Sequence, residues 1–280
     1  MQPSVAEGER DEERQCEGLK PLAGRRFAPG GQQNSGDRLS GLLLWLPGVF
    51  ASKRGVLTPR TDAHVPPTPF ACLIGYTSPV TELELLHDEI RACRLCEHAG
   101  YPISPPGLAW GQAPAPFLLV GQAPGLSDWR GDRMYLGPAA RKLIGWLCES
   151  GFTEADIGTR VYMTALTKCF PGRLPGKSTD RAPSPRERAL CRPWLDRQWA
   201  LVNPRVVLLF GKLSIDTFLP SLPLTQSVGT VFERNGLTYI PLPHSSGAST
   251  WLNTPAHRLL LAEAIERIRE ARVRVVGDDL

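Results

Sequence analysis

Four short apolar runs, residues 117–120, 161–166, 206–210 and 239–242, constrain this chain more than any other feature. Each has hydrophobic side chains where an exposed strand would alternate, so each reads as a strand buried on both faces. Helical patterns fall between and after them, at 138–149, 184–202, 212–219 and 254–273. The order β-α-β-α-β-α-β-α predicts an α/β domain of three layers (α/β/α) around a four-stranded, mainly parallel sheet. Ligands of such sheets sit beyond the carboxyl ends of the strands. Three motifs occupy those ends: Gly121 to Gly125 after the first strand, Lys168 and Cys169 after the second, and His244 to Ser249 after the fourth.

Four cysteines add a second constraint. Cys93 and Cys96 form C-x2-C, Cys169 follows after 72 residues and Cys191 after 21 more. Thiolates are soft ligands suited to an iron–sulfur cluster or to zinc, and free cysteine is also a common core residue, so the spacing alone leaves three readings. Cys16 and Cys72 lie in an unpatterned leader and Cys148 inside a helical pattern, so none of them joins the set. An odd total of seven, with one pair too close for an ordinary disulfide framework, points to a reducing compartment and hence to the cytoplasm.

The formal charge of +4 permits a polyanionic partner without demanding one. It is distributed unevenly. Between Lys168 and Arg192, Arg173, Lys177, Arg181, Arg186 and Arg188 outnumber Asp180 and Glu187, a local excess suited to phosphate contacts or to a solvated loop. The chain divides near Thr77: residues 1–77 show no sustained period and are expected to be a disordered or non-conforming extension, with one domain over 78–280. The domain opens on a capping box, Thr81 with Glu84, and a helix that runs into Cys93. The longest apolar run, 39–50, is too short to span a bilayer and is broken by Gly41 and Pro47. Acidic residues crowd the stretch before it where a signal peptide has a basic leader, so a signal peptide is not the expected reading. Gly121 to Gly125 lacks the Lys-Ser/Thr ending of a phosphate loop and the third glycine of a dinucleotide fingerprint, so no nucleotide cofactor is expected.

The motifs Gly121-Gln122-Ala123-Pro124-Gly125, Gly131-Asp132-Arg133-Met134-Tyr135-Leu136-Gly137, Tyr162-Met163-Thr164 leading to Lys168-Cys169, and Pro243-His244-Ser245-Ser246-Gly247 stand in order and at fitting intervals. Over about residues 83–272 the chain resembles the uracil-DNA glycosylase superfamily, in its iron–sulfur branches, families 4 and 5. The resemblance implies a [4Fe-4S] cluster on Cys93, Cys96, Cys169 and Cys191, acting as a structural clamp on the loop between the last two. It also implies that Gly121, Gln122 and Ala123 bound the base pocket and help hold the hydrolytic water, that Tyr135 stacks on a flipped base, that the second strand reads the uracil edge, and that the His244 loop, with Ser246, contacts the substrate.

Three residues depart from that pattern. Gln122 stands where an acidic residue is frequent and cannot ionise; Asp128 is then the candidate to orient water or to stabilise the sugar cation, with a capping or surface role as its alternative. Ala165 stands where many members carry Asn, which leaves selectivity to backbone groups and pocket shape or widens the base range toward hypoxanthine and xanthine. Ser245 replaces a proline, and losing that fixed φ is expected to loosen the loop. His244 is the candidate donor to uracil O2, where negative charge develops as the base departs. Trp251 or Leu252 is a candidate wedge for the vacated stack, or packs under the last helix. The expected activity is monofunctional hydrolysis of the N-glycosidic bond of deoxyuridine in DNA during base excision repair, by a nucleoid-associated monomer without a lyase lysine. The rival readings are a noncatalytic or broad-specificity iron–sulfur DNA-binding repair protein and, less favoured, a redox protein.

Overall fold

The computed structural model describes residues 80–246 and 250–277; the expected extension over 1–77, and the residues 247–249 of the His244 loop, lie outside the described residues. In chain order the elements are α1 (Glu82–Ala92), α2 (Leu95–His98), β1 (Phe117–Gly121), α3 (Leu126–Arg130), α4 (Pro138–Glu149), β2 (Val161–Ala165), α5 (Pro185–Val202), β3 (Val206–Phe210), α6 (Lys212–Phe218), α7 (Leu224–Ser227), β4 (Phe232–Arg234), β5 (Leu237–Leu242) and α8 (Pro255–Val276). The four expected strands and four long helices are all present.

The sheet has five strands rather than four, in the order β2-β1-β3-β5-β4. Four are parallel; the addition, β4, pairs antiparallel with β5 through Phe232–Tyr239 and Arg234–Leu237. It is three residues long and largely exposed, an edge strand with no apolar run to betray it. The parallel strands need helical crossovers, and these coat both faces. Phe117, Leu119, Val161, Met163, Val206, Leu208, Ile240 and Leu242 pack on one side with Leu143 and Leu147 of α4 and Leu261, Ile265 and Ile268 of α8. Their neighbours Leu118, Val120, Tyr162, Val207, Leu209 and Tyr239 face Leu195 and Val202 of α5 and Ile215 of α6. Period-two alternation along uniformly apolar strands thus splits into two cores and gives the three layers. Among the described residues no helix is long and apolar enough to cross a membrane.

From β1 the chain crosses to β2 on one side and then returns to β3 on the other. The crevice where the order reverses, at the carboxyl ends of β1 and β3, is the position at which doubly wound sheets take ligands.

Candidate active site

At that crevice lies a cavity of about 560 Å³. Gly121, Gln122, Ala123 and Asp128 line it from the segment after β1, Tyr135 and Ala139 from the approach to α4, Phe210 from the end of β3, and His244 and Ser246 from the loop after β5. Arg173, Asp180 and Arg181 close it from the segment between Cys169 and Cys191. The volume lies within the range of small-molecule sites.

Tyr135 is built into the wall. It is 8 % exposed, holds the left-handed backbone (φ 65°) that a bulky residue avoids, and its hydroxyl donates to the Thr164 carbonyl at 2.8 Å. A Cβ on Gly121 would stand 2.8 Å from that hydroxyl, so glycine at 121 lets the ring close over the end of β1. Burial pushes the phenol well above its usual range, with the Asp128 charge adding to it and a bond from Gly121 opposing, so the ring serves as a neutral surface.

His244 is half-buried and stacks on Phe210, ring centroids 4.8 Å apart. Its Nδ1 accepts the Ser246 N–H at 3.2 Å. A neutral imidazole with Nδ1 occupied as acceptor carries its proton on Nε2, and burial lowers the pKa below the ordinary value, which favours that neutral form. The geometry therefore supplies a hydrogen-bond donor rather than a fixed cation. Gly211 (φ +89°) leaves room for this ring, since a Cβ there would meet His244 Cδ2 at 3.3 Å.

Asp128 takes the capping alternative. Its Oδ2 accepts the Gly125 N–H at 2.9 Å and its Oδ1 the Leu136 N–H at 2.7 Å, which ties both ends of the segment across α3. Burial raises its pKa while those backbone bonds, with one from Gly137, pull it back. Ala165 does not reach the cavity: it is fully buried at the end of β2, registered with Gly121, and its carbonyl accepts from Lys168 Nζ at 2.5 Å. Ser245 is buried and donates to the Ala139 carbonyl at 2.5 Å, so the loop that lacks proline is anchored to the start of α4 by a side chain. Trp251 stacks on His257 of α8 with centroids 4.3 Å apart, and both Trp251 and Leu252 pack against the core. These two residues therefore lie under the last helix.

The basic segment is more self-paired than its composition suggests. Arg181 makes a two-pronged bond to the fully buried Glu187, Nη1 to Oε2 at 2.8 Å and Nη2 to Oε1 at 2.5 Å. The exposed cations of this segment are Arg173, which also faces Asp180 Oδ1 at 3.9 Å, Lys177 and Arg186. Sequence reasoning counted Asp180 only as charge in this segment; its place in the cavity wall depends on the fold of a loop that carries no local signal.

A second, narrower cavity brings Cys93, Cys96, Cys169 and Cys191 together. Cys93 caps the end of α1, Cys96 lies in α2, Cys169 follows β2 and Cys191 lies in α5; none is in a disulfide. Ile90, Leu95, Ile103, Leu190 and Trp194 make its walls apolar. Burial, with the neighbouring cysteines adding to it, pushes the Cys96 thiol up to about 11 and the Cys169 thiol to about 12. Buried thiols gathered in this way are a set that a bound cation would stabilise as thiolates. The Lys168 backbone N–H points to Cys191 Sγ at 3.3 Å, a bond of the kind that supports a sulfur ligand. Among the described residues no three His, Cys, Asp or Glu side chains are gathered to hold a single metal ion.

A three-layer sheet with its cavity at the switch point, walled by a buried tyrosine and a half-buried histidine, places the chain among α/β proteins that take a ligand beyond the strand ends. The family model described as "Uracil DNA glycosylase superfamily" matches residues 108–266, more than half of the chain, and the chain belongs to that superfamily. It is 25% identical over 203 residues to the Type-4 uracil-DNA glycosylase of Sulfurisphaera tokodaii, covering 68% of this chain and 85% of the relative. The Type-4 uracil-DNA glycosylase of Saccharolobus solfataricus is 26% identical over 198 residues, 68% of this chain and 86% of its own. A Type-5 uracil-DNA glycosylase from Mycobacterium tuberculosis is 28% identical over 108 residues, 35% of this chain and 38% of its own.

Proposed function

We propose that this protein is a monofunctional DNA glycosylase that hydrolyses the N-glycosidic bond of deoxyuridine in DNA and leaves an abasic site. The observation that carries this reading is the tautomer set on His244: with Nδ1 accepting from Ser246, the neutral ring presents Nε2–H from the wall of the cavity. Cleavage sends the bonding electron pair onto the departing base, so a donor placed at its carbonyl oxygen stabilises the transition state more than the ground state. Tyr135 supplies the flat surface beside the turn after β1, and stacking there offsets part of the few kcal/mol needed to extrude a nucleotide. Arg173, Lys177 and Arg186, exposed on the segment between Cys169 and Cys191, are suited to backbone phosphates.

Cys93, Cys96, Cys169 and Cys191 are the residues to hold a [4Fe-4S] cluster. Four soft donors line one cavity with largely apolar walls, a donor set that an iron–sulfur cluster takes. A cluster held by these residues would tie α1, α2, the end of β2 and α5 together and so steady the basic segment between Cys169 and Cys191. The protein acts as a monomer in the compartment that holds the DNA. A broader base range is favoured by one observation: the second strand contributes no side chain to the cavity lining with which to read a base edge.

The experiment is cleavage of an oligonucleotide with one uracil, single- and double-stranded, with alkali to reveal abasic sites, and parallel substrates carrying hypoxanthine or xanthine. His244→Ala runs alongside. His244-dependent breaks at uracil support the reading; breaks only at the purines move it to the broader enzyme; no breaks from cluster-loaded protein at any base sink it.

A further inference from the structure

The cavity's described lining contains two carboxylates, Asp128 and Asp180. Hydrolysis requires a water to be held and relieved of a proton, and Gln122, at the position nearest the turn, cannot accept one. Asp128 is committed, with one oxygen on Gly125 N–H and the other on Leu136 N–H. Asp180 is not. It arrives from the opposite side of the cavity, on the segment between Cys169 and Cys191, and its side chain is 37% exposed. Its Oδ2 accepts the Leu126 N–H at 3.3 Å and lies 3.3 Å from where a Cβ on Gly125 would stand, so the carboxylate leans over the turn that begins at Gly121. Its Oδ1 is 3.9 Å from Arg173 Nε, beyond a normal hydrogen bond. The backbone beneath it is held firmly: Arg181 N–H donates to Gly172 O and Leu174 N–H to Thr179 O, each at 3.0 Å, and the next side chain, Arg181, is locked to buried Glu187.

We infer that Asp180 is the catalytic carboxylate of this site, orienting the hydrolytic water over the turn in place of the acidic side chain that position 122 lacks. The inference rests on the glycosylase reading. In the step, the C1′–N1 bond breaks and its electron pair leaves with the base; the water oxygen bonds to C1′, its proton passes to Asp180 and then returns to the departed base or to solvent. Overall, one water is consumed for each base and abasic sugar formed. A carboxylate beside C1′ also lowers the energy of the cation-like sugar. Interposing Asp180 from the cluster-flanked segment makes the site complete only when that segment is seated.

The test is single-turnover release of uracil from uracil-containing DNA by cluster-loaded protein, comparing wild type, Asp180→Asn, Asp180→Asn with Gln122→Glu, and His244→Ala. Asparagine keeps an acceptor for the Leu126 N–H, and thermal melting checks that each variant is folded. The expected result is a fall of about 100-fold in rate for Asp180→Asn, within the range for a positioned base, affinity for the DNA unchanged within about twofold, and recovery of about tenfold or more when Gln122→Glu restores a carboxylate from the other wall. Wild-type rate in Asp180→Asn, or a double variant no faster than the single, overturns the inference while wild-type release leaves the glycosylase reading standing. Absence of release from wild type overturns both.

Discussion

Replacing Glu187 by glutamine should cost this domain a large part of its stability, and the structure sets the size of the loss. Glu187 is fully buried, accepts two bonds from Arg181 and takes the Ser184 N–H at 2.7 Å as the return half of the α5 capping box. The Arg181 guanidinium holds its carboxyl down from 4.5 to about 2. At 1.36 kcal/mol for each unit, a depression of this size corresponds to about 3 kcal/mol of stability near neutral pH. Breaking a buried pair from one side costs a similar roughly 3–5 kcal/mol. Glutamine keeps an acceptor for Ser184 but leaves Arg181 without its counter-charge, so the melting temperature of Glu187→Gln should fall by roughly 5–10 °C. The sign with pH follows from a folded value below the unfolded one: the contribution is complete above about 4.5 and is lost as pH falls toward about 2. Thermal unfolding followed by circular dichroism, near pH 7 and near pH 3, should show a gap between wild type and variant that narrows in acid; taking the difference cancels acid effects common to both. Equal stabilities at neutral pH, or a gap of the same size in acid, would refute the reasoning.

Gly121→Ala places a methyl 2.8 Å from the Tyr135 hydroxyl; the ring must leave its bond to Thr164, and uracil release should drop by about tenfold or more with a measurable change in Tyr135 fluorescence or NMR shift. Because burial keeps His244 neutral below the ordinary histidine range, the rate of base release should stay level as pH falls through 6.5, and a loss centred at or above that value would contradict the donor role. Cys191→Ser removes one of the four thiols and should abolish the brown chromophore and the visible absorbance of reconstituted protein while leaving the sheet's far-ultraviolet dichroism in place; an unchanged spectrum would count against the proposed ligand set.

The parts of the fold that sequence reasoning reached are those with a local signature. Phe117, Val161 and Val206 each begin an unbroken buried run, and such runs announce a parallel sheet covered on both faces. Thr81 and Glu84 spelled their capping box and formed it. β4 escaped because three largely exposed residues at a sheet edge carry no period, and α3 because none of its five residues is buried. At the site, His244, Tyr135 and the turn from Gly121 to Ala123 come together as expected, since each follows a strand end or a fixed motif. What remained illegible is what depends on partners distant in sequence. Ser245 looked like a lost proline until its hydroxyl met Ala139, 106 residues away. Arg181 looked like a phosphate contact until Glu187 claimed it. Ala165, placed in the pocket by likeness to other members, is held inside the sheet by its register with Gly121.

The most direct test of the account is to measure free uracil and abasic DNA together, by mass spectrometry, after a single turnover of cluster-loaded wild type and His244→Ala on the same uracil-containing strand. The account predicts equimolar uracil and abasic sites from wild type, an intact sugar–phosphate backbone before alkali, and a release rate at least about 100-fold lower for His244→Ala with DNA binding retained. Release at equal rates from both proteins, or strand scission without free base, would contradict it.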